Sequence, residues 1–250
     1  MSSHMNGRIL ITGDKHGTFG PFFGLAQRND LREMDVLLIA GDASYVWRED
    51  YHANITTLQQ LFPGTVAFVD GNHENHALLN AMEVSLWNGG RVHQIGSRVL
   101  HLMRGELYNI YGTRIFAFGG ARSVDVDRRD DGFSWWKQEG SSWWREEEPS
   151  PDEIAYGQRQ LETHLDEIDY VITHETPLMA RASIARSKAV DPDYPLPALF
   201  DRWYEILSAA PRFKKWYFGH MHVDQSITPQ LRAIHSNILP IGEEIPLPWA

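Results

Sequence analysis

The sequence predicts an α/β fold of mixed or two-sheet architecture, and two observations carry that prediction. In the first third, three continuous apolar runs are separated by crossover-sized, helix-compatible segments, the pattern of parallel strands covered on both faces. In the middle, short strand-like runs follow one another across glycine-bearing turns, the pattern of an antiparallel layer. A parallel layer followed by an antiparallel one is expected to stack, with helices covering the outer faces.

Taken in chain order, Ile9-Leu10-Ile11 is the first strand and runs into Gly13-Asp14-Lys15-His16-Gly17. Val36 to Ala40 is the second and ends at Gly41-Asp42; Val66 to Val69 is the third and ends at Asp70-Gly71-Asn72-His73-Glu74. Glu74 to Ser85 reads as a helix with Leu78, Leu79 and Met82 on one side. Val92 to Ile95, Val99 to Met103, Leu107 to Ile110 and Ile115 to Phe118 read as strands of one meander. Residues 122–149 stand apart, with Asp125, Asp127, Asp130, Asp131, two Trp pairs (Trp135-Trp136, Trp143-Trp144) and the acidic run Glu146 to Glu148. They read as an insertion or long loop. Ser150-Pro151-Asp152-Glu153 then combines an N-cap, a first-turn proline and a capping-box glutamate. Ile154, Leu161, Leu165 and Ile168 keep helical spacing up to the strand Tyr170 to Thr173, which ends at His174. Leu199, Phe200, Trp203, Ile206 and Leu207 mark an amphipathic helix, and the strand Trp216 to Phe218 delivers Gly219-His220-Met221-His222.

A chain of 250 residues suits one large domain. Residues 1–8 read as a disordered end or a leftover of expression, and 9–250 as a single domain carrying the insertion. With no cysteine, thiolate ligands and cysteine nucleophiles are excluded. A formal charge of −10 argues against binding duplex nucleic acid through a basic face. A small phosphorylated substrate stays compatible, because bound divalent ions reverse the local potential in a cleft. No apolar stretch reaches membrane-spanning length and the start lacks a signal-peptide pattern, so the expected location is the cytoplasm.

Five predicted strands thus end in residues of metal-ligand type: Asp14 and His16, Asp42, Asn72 and His73, His174, then His220 and His222. Singly, each has a plainer reading. Asp14 and Asp42 follow glycine as turn residues do, Asn72 suits a helix cap, and a lone strand-end His174 suits a core. Jointly the plain readings fail, since ligands in open α/β folds bind outside the carboxyl ends of strands. Alternate residues of an extended strand also share a face, which lets Asp14 and His16, or His220 and His222, reach one site.

The ordered set Asp14-x-His16, Gly41-Asp42, Gly71-Asn72-His73-Glu74, His174 and Gly219-His220-x-His222 resembles the calcineurin-like metallophosphoesterase family, from about Ile9 to His222. The resemblance implies a four-layer αββα sandwich of two β-sheets flanked by helices, with a dinuclear site at the strand ends. By motif, Asp14, His16, Asp42 and His222 would hold one metal; Asp42, Asn72, His174 and His220 would hold the other, making Asp42 the bridge. His73 would stabilise the transition state or protonate the leaving oxygen. Mixed carboxylate, amide and imidazole ligands suit Mn foremost, with Fe, Zn, Co or Ni also compatible. A shared carboxylate holds two metals roughly 4 Å apart, and water between them becomes an attacking hydroxide near neutral pH. The implied activity is hydrolysis of a phosphomonoester or a small phosphodiester.

Two departures narrow this. Gly41-Asp42-Ala43-Ser44-Tyr45-Val46-Trp47 lacks the Gly-Asp-x-x-Asp-Arg-Gly of the family's protein phosphatases. Gly-Asp-x-x-Tyr looks like the purple acid phosphatase motif, yet His16 is present where those enzymes usually lack it; Tyr45 is therefore expected to line the pocket or the core. Arg122 follows a strand and is the first candidate for a bidentate substrate contact, ahead of Arg128 and Arg129. His76, Tyr45 and Trp47 are further candidates for the mouth. The Trp pairs suit stacking on a planar leaving group, or, more plainly, packing of the insertion. Rival readings are a nuclease on single-stranded nucleic acid and a non-catalytic scaffold that binds a partner through the Trp-rich segment.

Overall fold

The computed structural model describes residues 7–27, 30–123, 139–140, 143–184 and 193–243. Its first elements alternate, as the apolar runs predict: β1 (Ile9–Thr12), α1 (Gly20–Ala26), β2 (Val36–Ile39), α2 (His52–Leu61), β3 (Thr65–Val69) and α3 (His76–Asn80). The strands β4 (Val84–Trp87), β5 (Gly90–Gln94), β6 (Val99–Leu102), β7 (Glu106–Ile110) and β8 (Thr113–Phe118) follow. Beyond the segment around 122–149 come α4 (Pro151–Thr163), β9 (Tyr170–Thr173), α5 (Leu178–Arg181), α6 (Leu196–Ser208) and β10 (Lys215–Phe218). The described chain closes with β11 (Gln225–Thr228), β12 (Leu231–Ala233) and β13 (Leu239–Pro240).

These strands form two mixed sheets. One has the order β13-β1-β2-β3-β6-β5-β4 and the other β11-β12-β10-β9-β8-β7. Ile9, Val36, Ala67 and Val69 of the first sheet pack on Ile115, Ala117, Ile172 and Tyr217 of the second, so an apolar core fills the sandwich. Phe22, Ile55, Leu58 and Leu79 of α1–α3 cover the outer face of the first sheet. Leu161 of α4 and Leu199, Phe200 and Trp203 of α6 cover the outer face of the second. The result is the four-layer αββα sandwich, in which inner strands such as β1, β2, β9 and β10 are buried on both faces and read as continuous apolar runs.

Register places the strand ends together. Thr12 pairs with Ile39 and Ile39 with Phe68, so the loops after β1, β2 and β3 leave at one level. In the second sheet Phe118 and Phe218 both pair with Thr173, so the loops after β8, β9 and β10 do the same.

Two local expectations are corrected. The helix expected over Glu74 to Ser85 is only α3; Val84 to Trp87 is the edge strand β4, hairpinned to β5. Asn88 (φ 50°) and Gly89 (φ 94°) supply the left-handed pair that such a hairpin requires. The expected meander is also split. β6 joins the first sheet beside β3, whereas β7 starts the second beside β8, and the chain changes sheet at Arg104-Gly105. Among the described residues no helix is long and apolar enough to cross a membrane.

Candidate metal centre

The loops that leave both sheets at this common level bring the strand-end residues together. Asp14, His16, Asp42 and His222 each offer one ligand atom within 4.8 Å of the others. His16 Nε2 lies 3.1 Å from His222 Nε2 and 3.7 Å from Asp42 Oδ2, while His222 Nε2 is 3.5 Å from Asp14 Oδ1. On the other side of the same carboxylate, Asp42 Oδ1 lies 3.2 Å from His174 Nε2, which is 3.1 Å from Asn72 Oδ1. The His220 ring sits edge-on to His174, centroids 5.0 Å apart. His73 stands half-buried beside His16, centroids 5.3 Å apart, and its backbone N–H donates to Asp42 Oδ1 at 2.8 Å.

The backbone here is strained in one consistent way. Asp14, His16, Asp42, Ser44, His220 and His222 all have positive φ, between 46° and 66°, a region that costs a non-glycine residue free energy and clusters at functional sites. Hydrogen bonds between loops hold it: His16 N–H donates to Asp42 O (2.8 Å) and Gly17 N–H to Ala43 O (2.9 Å). The buried Glu74 carboxylate accepts from Ala43 and Ser44 N–H, tying the loop after β2 to the one after β3. Two glycines make room. A Cβ on Gly41 would lie 2.2 Å from His174 Nδ1, and one on Gly71 would lie 2.1 Å from Asp42 Oδ1.

The protonation pattern follows from burial and from the pairing of Asp42 with His174. Burial pushes the Asp14 carboxyl up to about 7, and its Oδ2 is buried with no hydrogen-bond partner among the described residues. Against the cost of burial, Asp42 and its hydrogen bond raise His174 to about 10, and the same contact holds Asp42 well below the usual carboxylate range. Burial lowers His16 and His220 to about 4 and lowers His222 as well, leaving neutral imidazoles. His174 Nδ1–H donates to the Ala40 carbonyl at 2.8 Å, so Nε2 is the nitrogen that faces Asp42 and Asn72. A divalent cation that displaces the Nε2 proton of His174 would meet three lone-pair-bearing atoms there: His174 Nε2, Asp42 Oδ1 and Asn72 Oδ1. The donor set and the orphaned Asp14 oxygen fit metal ions.

Other sequence expectations are placed elsewhere. Tyr45 is in the core: it is fully buried between Phe19 and Phe22, and its hydroxyl donates to Thr18 O at 2.7 Å. Arg122 makes its two-pronged contact with Glu148 (2.7 and 3.1 Å) and lies over the Tyr194 ring. The helix cap is Asn75, whose Oδ1 accepts from Leu78 N–H, which leaves Asn72 to the site. His76 is buried below the loop with Nε2 on the Gly71 carbonyl. Trp47 meets Trp144 edge-to-face at 5.2 Å, and Trp143 and Trp144 are both buried, the packing role. Arg128, Arg129 and Trp135-Trp136 lie outside the described residues.

Sequence reasoning missed the buried polar residues around the centre. Asn72 Nδ2–H donates to Ser123 Oγ, whose hydroxyl and backbone N–H donate to the two oxygens of Glu147. The Glu175 carboxylate, wholly buried, stands 4.0 Å from His220 Nε2. No spacing rule flags these, because they reach the site from separate loops. A cavity of about 590 Å³ lies beside the centre rather than over it, between the end of β3 and the strip 143–151, lined by His76, His93, His101, Arg104 and Trp144.

The calcineurin-like phosphoesterase family matches residues 7–224 of the chain. Among solved structures, the chain is similar to one from Thermus thermophilus titled as the crystal structure of TT1561. The identity is 12%, 92% of this chain and 89% of that chain are covered, and the TM-score is 0.45. No curated protein matches the chain.

Proposed function

The chain belongs to the calcineurin-like phosphoesterase family, and we propose that it hydrolyses a phosphomonoester or small phosphodiester with two divalent metal ions, manganese foremost. The single observation that supports this reading is the position of Asp42. Its Oδ2 faces His16 at 3.7 Å and its Oδ1 faces His174 at 3.2 Å, so one carboxylate addresses two groups of donors. Asp14, His16, Asp42 and His222 are the proposed ligands of one ion; Asp42, Asn72, His174 and His220 are those of the other. When bound, such a pair lowers the pKa of an attacking water and neutralises charge on the phosphoryl oxygens.

The chain's own residues do the rest. Ala40, Glu74 and the left-handed loop backbone orient the donors before substrate arrives, so little reorganisation is needed during the reaction. His73, held next to the centre by its N–H on Asp42, is positioned to donate a proton to the leaving oxygen or to a phosphoryl oxygen. The net charge of −10 favours a small substrate over nucleic acid. The test is to strip the protein with chelator, restore Mn²⁺, and compare a chromogenic phosphomonoester with its bis-ester. Turnover that returns with two equivalents of metal is expected. Full occupancy with no turnover of either ester would instead favour the partner-binding scaffold.

A further inference from the structure

Asn72 is the one amide donor proposed at the centre, and its side chain is useful to a metal in only one of two orientations. The oxygen ligates; the NH₂ group repels a cation. Ser123 and Glu147 decide between them. Glu147, 1% exposed, accepts from Ser123 N–H on Oε1 (2.6 Å) and from Ser123 Oγ–H on Oε2 (2.9 Å). A serine has one hydroxyl proton, and Glu147 takes it. The Ser123 oxygen then offers Asn72 only lone pairs, which the amide meets with Nδ2–H at 3.2 Å. Oδ1 is thereby turned to the opposite side, where it lies 3.1 Å from His174 Nε2.

The device is anchored at both ends. Arg104 donates to the backbone carbonyls of Glu146 and Glu147, and is itself held by the buried Asp70 carboxylate at the end of β3. Gly120 N–H returns to Asp70 O, and Ala121 N–H to Glu147 O. The strip 119–123, the turn at 145–147 and the loop carrying Asn72 therefore form one closed ring of hydrogen bonds. Burial pushes the Glu147 carboxyl up to about 8, and the two hydrogen bonds from Ser123 act the other way, favouring the carboxylate form.

We infer that Ser123 and Glu147 are positioning residues that fix the Asn72 amide with its oxygen toward the metal centre, and that holding Glu147 there is a function of the turn at 145–147. The inference rests on the metal reading above. Ser123→Ala removes the acceptor for Asn72 Nδ2–H. Glu147→Gln keeps the shape but brings an NH₂ group that competes for the Ser123 oxygen and releases the hydroxyl proton toward Asn72.

Both variants and the wild-type chain, stripped with chelator, would be titrated calorimetrically with Mn²⁺, with thermal unfolding of each stripped form as the folding control. The wild type is expected to bind two ions. Each variant is expected to weaken one of the two sites about tenfold to hundredfold, the range for outer-shell partners of metal ligands. The other site and the stripped unfolding midpoint stay near wild type. Two sites of wild-type affinity in the variants would overturn the inference, as would equal weakening of both, which marks a merely structural role. If Ser123→Ala does not fold, Glu147→Gln decides alone. A wild type that binds no metal would overturn the metal reading itself, a result distinct from either.

Discussion

At the scale of single residues, two neighbours on one loop divide the labour at the centre. His73 touches Asp42 through its backbone and leaves its ring beside His16. His73→Ala is therefore expected to retain both metals by elemental analysis while kcat falls about 10²- to 10⁴-fold, the usual contribution of a positioned proton donor. Loss of metal instead would reassign the ring to ligation. Gly71 makes the opposite case. Gly71→Ala adds only a methyl group, yet its Cβ would stand 2.1 Å from Asp42 Oδ1. Since the same Cβ would also stand 2.5 Å from Asp42 N, relief requires moving Asp42, the proposed bridge, and metal stoichiometry is expected to fall below two while the chain stays folded by circular dichroism. The proposed ligands were legible in the sequence because each ends a strand within a short motif. Ser123, Glu147 and Glu175 were not, since a buried hydrogen-bond network is assembled from distant loops and leaves no periodicity or spacing.

At the scale of elements, the legible features were those fixed by local chemistry. Ser150 and Glu153 form the capping box their spacing implies: Ser150 Oγ accepts from Glu153 N–H, and Ser150 N–H donates to the Glu153 carboxylate. Ser150→Ala is expected to cost about 1 kcal/mol, read as a shift in the urea midpoint with unchanged slope. The misread elements were those decided by tertiary pairing. Val84 to Trp87 carries apolar residues that continue a helical pattern, but the Asn88-Gly89 turn and the open edge of β5 capture it as β4. The strands on either side of Arg104 look like one meander because hairpin spacing does not say which sheet a strand joins. Arg104 shows what decides it: its guanidinium bonds Asp70 at the end of β3 and Glu153 at the start of α4, pinning the crossing point between the sheets. Arg104→Met leaves Asp70 buried without its main counter-charge, and a loss of about 3–5 kcal/mol in the urea unfolding free energy is expected.

At the scale of the whole molecule, stability and metal binding respond to pH through different histidines. His76, 3% exposed, lies outside the proposed ligand set, and burial pushes it down to about 4 even though Asp70 stands 4.0 Å away. Arg104 and His101, packed on the same side, oppose its protonation further. In the unfolded chain the same imidazole titrates near its ordinary value of about 6.5. The unfolded state therefore binds more protons between these values, and the stability that depends on a neutral His76 is present above pH about 6.5 and lost as pH falls toward 4. The buried Asp70 carboxyl is held low by Arg104 against the cost of burial, so its own contribution disappears only below the ordinary carboxylate range, in a separate window. His76→Gln can still donate to the Gly71 carbonyl while removing the titration. Unfolding free energies of the chelator-stripped protein at pH 7 and pH 4.5 are expected to differ by up to ~3 kcal/mol less in His76→Gln than in the wild type. The metal is stripped because ions at the proposed ligands His16, His174, His220 and His222 would add their own acid sensitivity as protons compete for the imidazoles. If the stripped variant and wild type lose stability in parallel, the acid sensitivity belongs to the other histidines that burial lowers, His16, His93, His220 and His222, and the pocket beneath Gly71 accommodates a charged imidazole.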